Sequence, residues 1–165
     1  MLGRIGKSYI LASETCAFDI VGGEHIRDIA PGEMVVIDKK KAHKEMPLDE
    51  VIESSFPFKK QPSKFCIFEF IYFSRPDCVI EGKDIYNVRK RMGAELAKEN
   101  PVNADIVVPV PDSGVASAIG YSEESGIKFE MGIIRNHYVG RTFIEPTENI
   151  RHLGVKLKHN ANKSV

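Results

Sequence analysis

The stretch VVPVPDSGVASAIGY, residues 107–121, sets an apolar run against a turn and then a run of small helix-compatible residues. The segment DIVVPV (105–110) reads as a short buried strand, PDSG as a turn, and VASAIGYSEESG as a helix closed by Gly126. Asp112 and Ser113 suit a helix N-cap, and Gly114 lets a ligand approach the backbone closely. Unpaired N–H groups at a helix start, with the helix dipole behind them, attract anions. In open α/β sheets ligands sit at the carboxyl ends of strands, where this turn falls. It is neither a Walker A loop nor a G-x-G-x-x-G fingerprint, and alone it also reads as a plain capped helix.

The flanking sequence extends the pattern. Ile85, Val88, Met92, Leu96 and Ala97 recur at helical spacing within 85–100, and Pro101 follows. KFEMGII (128–134) is a further strand candidate. Helix–strand–helix–strand order predicts an α/β fold with a parallel sheet and flanking helices. The last strand runs into RNHYVGRTFIEP (135–146), which is basic, aromatic and without period. Two neighbouring strand ends would then offer one crevice a phosphate-cradling turn and an arginine/tyrosine loop. A long aperiodic loop there suits a mobile lid.

The N-terminal third reads as β-rich. SYILAS (8–13), HIRDI (25–29) and EMVVID (33–38) are strand candidates, with a short helix over 14–21 and turns at Gly22-Gly23 and Pro31-Gly32. Residues 39–63 are polar and carry Pro47, Pro57 and Pro62, which predicts a loop with at most an edge strand, and a domain boundary. FCIFEFIYF (65–73) reads as a strand or short helix, and RPDCVIEGKD (75–84) as a turn-rich connector.

Composition bounds the function. The chain has 165 residues, 42% hydrophobic and 28% charged, with 23 basic and 23 acidic side chains, as in globular domains. Its longest apolar runs are short, so neither a membrane span nor a signal peptide is read, and the cytoplasm is the expected location. The three cysteines, Cys16, Cys66 and Cys78, form no C-x-x-C pair, which fits a reducing compartment. The neutral total hides an asymmetry: Arg135 to Lys163 holds six lysines and arginines but only Glu145 and Glu148 as acids. That surplus suits an anionic ligand or a solvated face. KKQPSK (59–64) and KLKHNANK (156–163) interleave no aromatics with their bases, which argues against nucleic acid. The first reads as a solvated loop and the second as a phosphate-facing or disordered tail. Asp19 and Glu14 read as turn caps, His43, His152 and His159 as surface residues, and Cys16 and Cys78 as structural.

The segments LASETCAFDIVGG (11–23), IRDIAPGEMVVID (26–38), FEFIYFSRPD (68–77), PVPDSGVASAIGYSEESGI (109–127) and IRNHYVGRTFIEP (134–146), in that order, resemble the amidophosphoribosyltransferases. The resemblance covers nearly the whole chain. It implies that residues 1–60 are the C-terminal part of an N-terminal-nucleophile glutaminase domain and 65–165 the N-terminal part of a type I phosphoribosyltransferase domain. It implies the first committed step of purine synthesis: glutamine-derived ammonia displaces pyrophosphate from phosphoribosyl pyrophosphate. By position, Asp112, Ser113 and Gly114 would form the pyrophosphate loop. Arg135, Tyr138, Arg141, Thr142 and Ile144, with Tyr72, would build the flexible loop and ammonia channel. The resemblance further implies Mg2+, purine nucleotide inhibitors, homo-oligomers and, in some members, a four-iron cluster with one ligand at Cys66.

The departures matter as much. The family's nucleophile is an N-terminal cysteine, whereas this chain begins Met-Leu-Gly. No two aspartates are adjacent, so the family's Asp-Asp motif for the ribose and 5′-phosphate is missing. An internal fragment, inactive alone, is the expectation. The alternative is a non-catalytic module that binds phosphoribosyl pyrophosphate or a nucleotide. At 135–138 the family's Lys-Asn-Arg-Tyr is replaced by Arg-Asn-His-Tyr. Arg135 keeps the charge with different hydrogen-bond geometry, and His137 weakens phosphate attraction at neutral pH.

Overall fold

Strand β1 (Leu2–Ile5) lies at the centre of a three-stranded antiparallel sheet, between β2 (Ser8–Leu11) and β3 (Glu24–Arg27). A computed structural model describes residues 1–165, which form two compact units, Met1–Ile85 and Tyr86–Val165. In the first unit, helix α1 (Cys16–Ile20) follows β2 and buries Phe18 against the sheet. A Cβ on Gly3 would stand 2.6 Å from the Phe18 ring, so the glycine is what lets the ring lie on β1. Leu2, Cys16, Phe18 and Cys78 are all at most 2% exposed and make the centre of this core.

A second antiparallel pair joins β4 (Met34–Ile37) to β5 (Ile52–Ser55). Helices α2 (Lys39–His43) and α3 (Leu48–Val51) lie between them. Residues 39–63, expected as loop, are therefore partly regular. The Asp38 carboxylate caps α2 by accepting from the Lys40 and Lys41 amides, while Ala42 and Val51 turn inward and the lysines stay in water. Arg27 and Glu33 fix the start of β4: the guanidinium donates twice to the carboxylate, at 2.7 and 3.0 Å. The same carboxylate accepts from Ser54 Oγ and the Ala30 amide.

The aromatic run becomes neither a strand nor an ordinary helix. Residues Glu69–Phe73 form a π-helical turn, closed by the Ser74 amide donating to the Glu69 carbonyl at 3.2 Å. The Ser74 hydroxyl also bonds the Glu69 carboxylate at 2.7 Å. The connector beyond it is a small hairpin, β6 (Val79–Ile80) and β7 (Lys83–Asp84), turned by Glu81 and Gly82, both at positive φ.

The second unit is built on α4 (Ile85–Glu99), whose first residue closes the first unit, and α5 (Val115–Ser125). Their backbones touch: a Cβ on Gly93 would fall 1.9 Å from the Ser117 carbonyl, and one on Gly120 1.9 Å from that of Lys90. Lys90 also pairs with Glu123, and the Tyr121 hydroxyl donates to the Asn100 carbonyl. Gly126, with φ of 74°, ends α5 in the left-handed conformation expected of it.

The expected parallel sheet is present as one pair, β8 (Ile106–Val107) with β9 (Lys128–Phe129), joined through α5. The next strand, β10 (Ile133–Arg135), turns away and pairs antiparallel with β11 (His159–Ala161). The architecture is thus mixed α/β with small sheets, only one of them parallel. No helix is long and apolar enough to cross a membrane.

Candidate functional site

Beyond β8 the chain runs through Val108-Pro109-Val110-Pro111 to Asp112, with both prolines buried. The Gly114 amide donates back to the Val110 carbonyl at 3.0 Å, and the Val115 amide to that of Asp112 at 3.2 Å. A Cβ on Gly114 would stand 2.9 Å from the Val110 carbonyl oxygen, so the turn's tightness requires glycine here. The Pro111–Asp112 peptide bond is cis.

Gly114, rather than Asp112 or Ser113, is the N-cap of α5, and no side chain caps the helix. That corrects the sequence expectation of an Asp or Ser cap. The reason is electrostatic: the Asp112 carboxylate accepts from Arg135 Nη1 at 2.5 Å instead. The Ala116 and Ser117 amides of the first turn have no such internal acceptor, and the positive end of an eleven-residue helix lies behind them.

Arg135 is the last residue of β10, so the end of this strand meets the turn before α5 through this ion pair. Its Nε is buried without a hydrogen-bond partner, as is Nε2 of His159, which faces it across the β10–β11 ladder. His137 Nδ1 lies 3.9 Å from the same Asp112 oxygen. One carboxylate is therefore set among a guanidinium and an imidazole.

Residues 136–158 leave β10 and return at β11. The base of this excursion is closed by the Asn136 amide on the Lys158 carbonyl at 2.7 Å and the Asn162 amide on that of Gly132 at 2.8 Å. The first part holds only turns; the second is helix α6 (Glu148–Lys158), with Thr147 Oγ1 accepting from the Ile150 amide. KLKHNANK is thus the end of α6 together with β11, instead of a tail. The signal was present: Thr147 before Glu148 marks a helix start, and Ile150, Leu153 and Leu157 share one helical face.

The sequence-predicted residues fall as follows. Asp112, Ser113 and Gly114 lie in the turn before α5, and Asp112 meets Arg135 at the end of β10. Tyr138 is fully exposed, and its amide donates to the Asn136 side chain in an Asx turn. Arg141 and Ile144 are exposed on the excursion, whereas Thr142 sits over α6, 3.0 Å from where a Cβ on Gly154 would lie. Arg151 Nη1 bonds the Glu145 carbonyl and ties the turns to α6. Tyr72, on the π-helical turn, belongs to the other compact unit. Cys66 is exposed and belongs to no group of three ligand-type side chains. Sequence reading missed the Asp112–Arg135 pair and His159 opposite Arg135, because both depend on pairings across the fold.

The site is a strand–turn–helix junction in a mixed α/β protein, with a basic excursion beside it, an arrangement that can accept an anion. No protein-family model matches the chain. Across its whole length it is 52% identical to the amidophosphoribosyltransferase of Rhizobium etli, covering 32% of that protein. The Bacillus subtilis enzyme of the same name is 44% identical over 99% of the chain and 32% of its own length. A solved structure, glutamine phosphoribosylpyrophosphate amidotransferase from B. subtilis complexed with ADP and GMP, superimposes with a TM-score of 0.80, over 99% of this chain and 34% of that one. The chain is thus homologous to a segment of the amidophosphoribosyltransferases, and it spans about a third of the length of the curated relatives it matches.

Proposed function

We propose that this chain is the part of an amidophosphoribosyltransferase that links its glutaminase and phosphoribosyltransferase chemistries. Residues 1–60 close the glutaminase domain and 65–165 open the phosphoribosyltransferase domain. The whole protein takes phosphoribosyl pyrophosphate and glutamine. A lone pair of glutamine-derived ammonia forms the C1–N bond as the C1–O bond to pyrophosphate breaks, giving phosphoribosylamine after loss of a proton.

The observation that carries this reading is the Arg135–Asp112 pair beside the uncapped start of α5. The leaving pyrophosphate accepts hydrogen bonds from the Ala116 and Ser117 amides, which are fixed before it arrives and so cost no reorganisation. Arg135 exchanges Asp112 for a phosphate oxygen, to which its planar fork is better matched. The excursion then folds down with Tyr138, Arg141, Thr142 and Ile144. There these side chains shelter the ammonia and keep out competing water.

Magnesium, when bound with pyrophosphate, neutralises charge on the leaving group. Asp112 is engaged by Arg135 and no three-ligand group lies at the turn, so the phosphate oxygens would have to supply most of the donors to the ion. Of the four thiolates that a four-iron cluster takes, Cys66 would supply one, and the other three would have to come from elsewhere in the whole protein. Purine nucleotides would bind as inhibitors, consistent with the ADP and GMP in the related structure.

Calorimetric titration of the chain with magnesium pyrophosphate tests the reading. Saturable binding that weakens in Arg135→Gln is expected, and a silent trace with the parent chain would sink it. With ammonia and phosphoribosyl pyrophosphate the chain alone is expected to form no phosphoribosylamine.

A further inference from the structure

The first unit holds a second reactive constellation that the proposed chemistry does not use. Cys78 Sγ lies 3.0 Å from Cys16 Sγ, and the two residues are 0% and 2% exposed. The Glu14 carboxylate is within 4.8 Å of both sulfurs. The flanking backbone is already fastened: Thr15 Oγ1 accepts from the Val79 amide at 2.8 Å and donates to the Val79 carbonyl at 3.4 Å. The Cys78 carbonyl also accepts from the Ile85 amide at 3.1 Å. Neither cysteine can move far from the other while these bonds hold.

We propose that Cys16 and Cys78 are a redox pair that closes into an internal disulfide under peroxide. The separation favours this product. A disulfide needs the sulfurs to approach to about 2.0 Å. A tetrahedral zinc, with Zn–S near 2.3 Å, would force them apart to roughly 3.7 Å, and the group offers three ligands where a structural site takes four. The oxidant is hydrogen peroxide, small enough to reach a buried thiol. One thiol and one peroxide give a sulfenic acid and water. The second thiol displaces the sulfenic hydroxyl as a second water, forming the S–S bond, so two electrons leave the pair for each peroxide reduced. Burial, and then the neighbouring Cys78, push the Cys16 thiol up to about 12, so the reaction is slow at neutral pH.

The crosslink would tie α1 to the start of the β6–β7 hairpin, across most of the first unit. Closing so long a loop restricts the unfolded chain and raises Tm by about 5–10 °C. The test uses the full chain with Cys66→Ser, which removes the exposed third thiol. After peroxide, non-reducing peptide mass mapping is expected to show residues 16 and 78 linked with loss of two hydrogens. Dithiothreitol should reverse both the link and the Tm rise. In Cys78→Ser the same treatment should carry Cys16 to sulfinic acid without any rise in Tm. Sulfinic acids at both positions without a link overturn the proposal. So do two thiols still free after prolonged peroxide, or one equivalent of zinc held by the untreated chain. These outcomes are read on the parent protein, so they stand even if the Cys78 variant fails to fold.

Discussion

Arg135 Nη1 donates to Asp112 Oδ2 at 2.5 Å, joining the end of β10 to the turn that follows β8, a strand to which β10 is not hydrogen-bonded. The bond takes the carboxylate away from the helix start and holds a guanidinium beside open amides. The pair is part-exposed, with side-chain exposures of 30% and 56%, so it adds at most about 1 kcal/mol to stability. Its role is positional. Asp112→Asn should leave the unfolding midpoint nearly unchanged and strengthen magnesium pyrophosphate binding several-fold, because the anion no longer competes with a carboxylate. Arg135→Gln should weaken binding roughly ten- to hundredfold, the loss of a charge-assisted hydrogen bond. Calorimetry on the two variants checks both directions.

The α4–α5 contact predicts the largest stability losses. A methyl on Gly93 or Gly120 would fall 1.9 Å from a carbonyl oxygen of the facing helix, and backbone cannot swing aside as a side chain would. Gly93→Ala or Gly120→Ala should cost about 3 kcal/mol or more, despite the better helix propensity of alanine. Denaturant unfolding of each variant measures it. An unchanged midpoint would mean that the helices do not touch here.

Glu33 gives the first unit an acid-sensitive lock. Its side chain is 4% exposed, and hydrogen bonds from Arg27, Ser54 and the Ala30 amide hold its carboxyl down at about 2. A carboxyl depressed in the folded state adds stability that is complete above its ordinary value near 4.5 and is lost as pH falls toward 2. The unfolding midpoint should therefore drop between pH 4.5 and 2 in the native chain. In Glu33→Gln it should be lower at neutral pH and flatter across that window.

The excursion separates stability from binding. Thr147→Ala removes the cap of α6 and should cost about 1 kcal/mol locally, seen as faster amide exchange in 148–158. Tyr138 touches water on all sides, so Tyr138→Ala should shift global stability by less than about 0.5 kcal/mol. Any functional loss in that variant then belongs to the closed state.

Much of this was legible in the sequence because it was local. The α4 period, the strand–turn–helix of 105–126 and the Gly126 stop depend on residues within a few positions of one another, and all three appear in the structure. The π-helical turn at 69–73 was not legible. An apolar aromatic run fits strand, helix or π turn alike, and the Ser74–Glu69 bond selects among them. Residues 39–63 looked like loop since their lysines hide a pattern of only two inward residues, Ala42 and Val51.

By itself the sequence determined α1, α4 and α5, where the anion-seeking turn falls and that a basic surplus follows it, because propensity, capping and charge are properties of neighbours. The tertiary structure alone decided that Asp112 faces Arg135 instead of capping its helix, that His159 lies opposite Arg135, and that Cys16 meets Cys78. Those pairs lie far apart along the chain, and which partner a side chain finds at such range is settled by strand register and packing, quantities no local stretch contains.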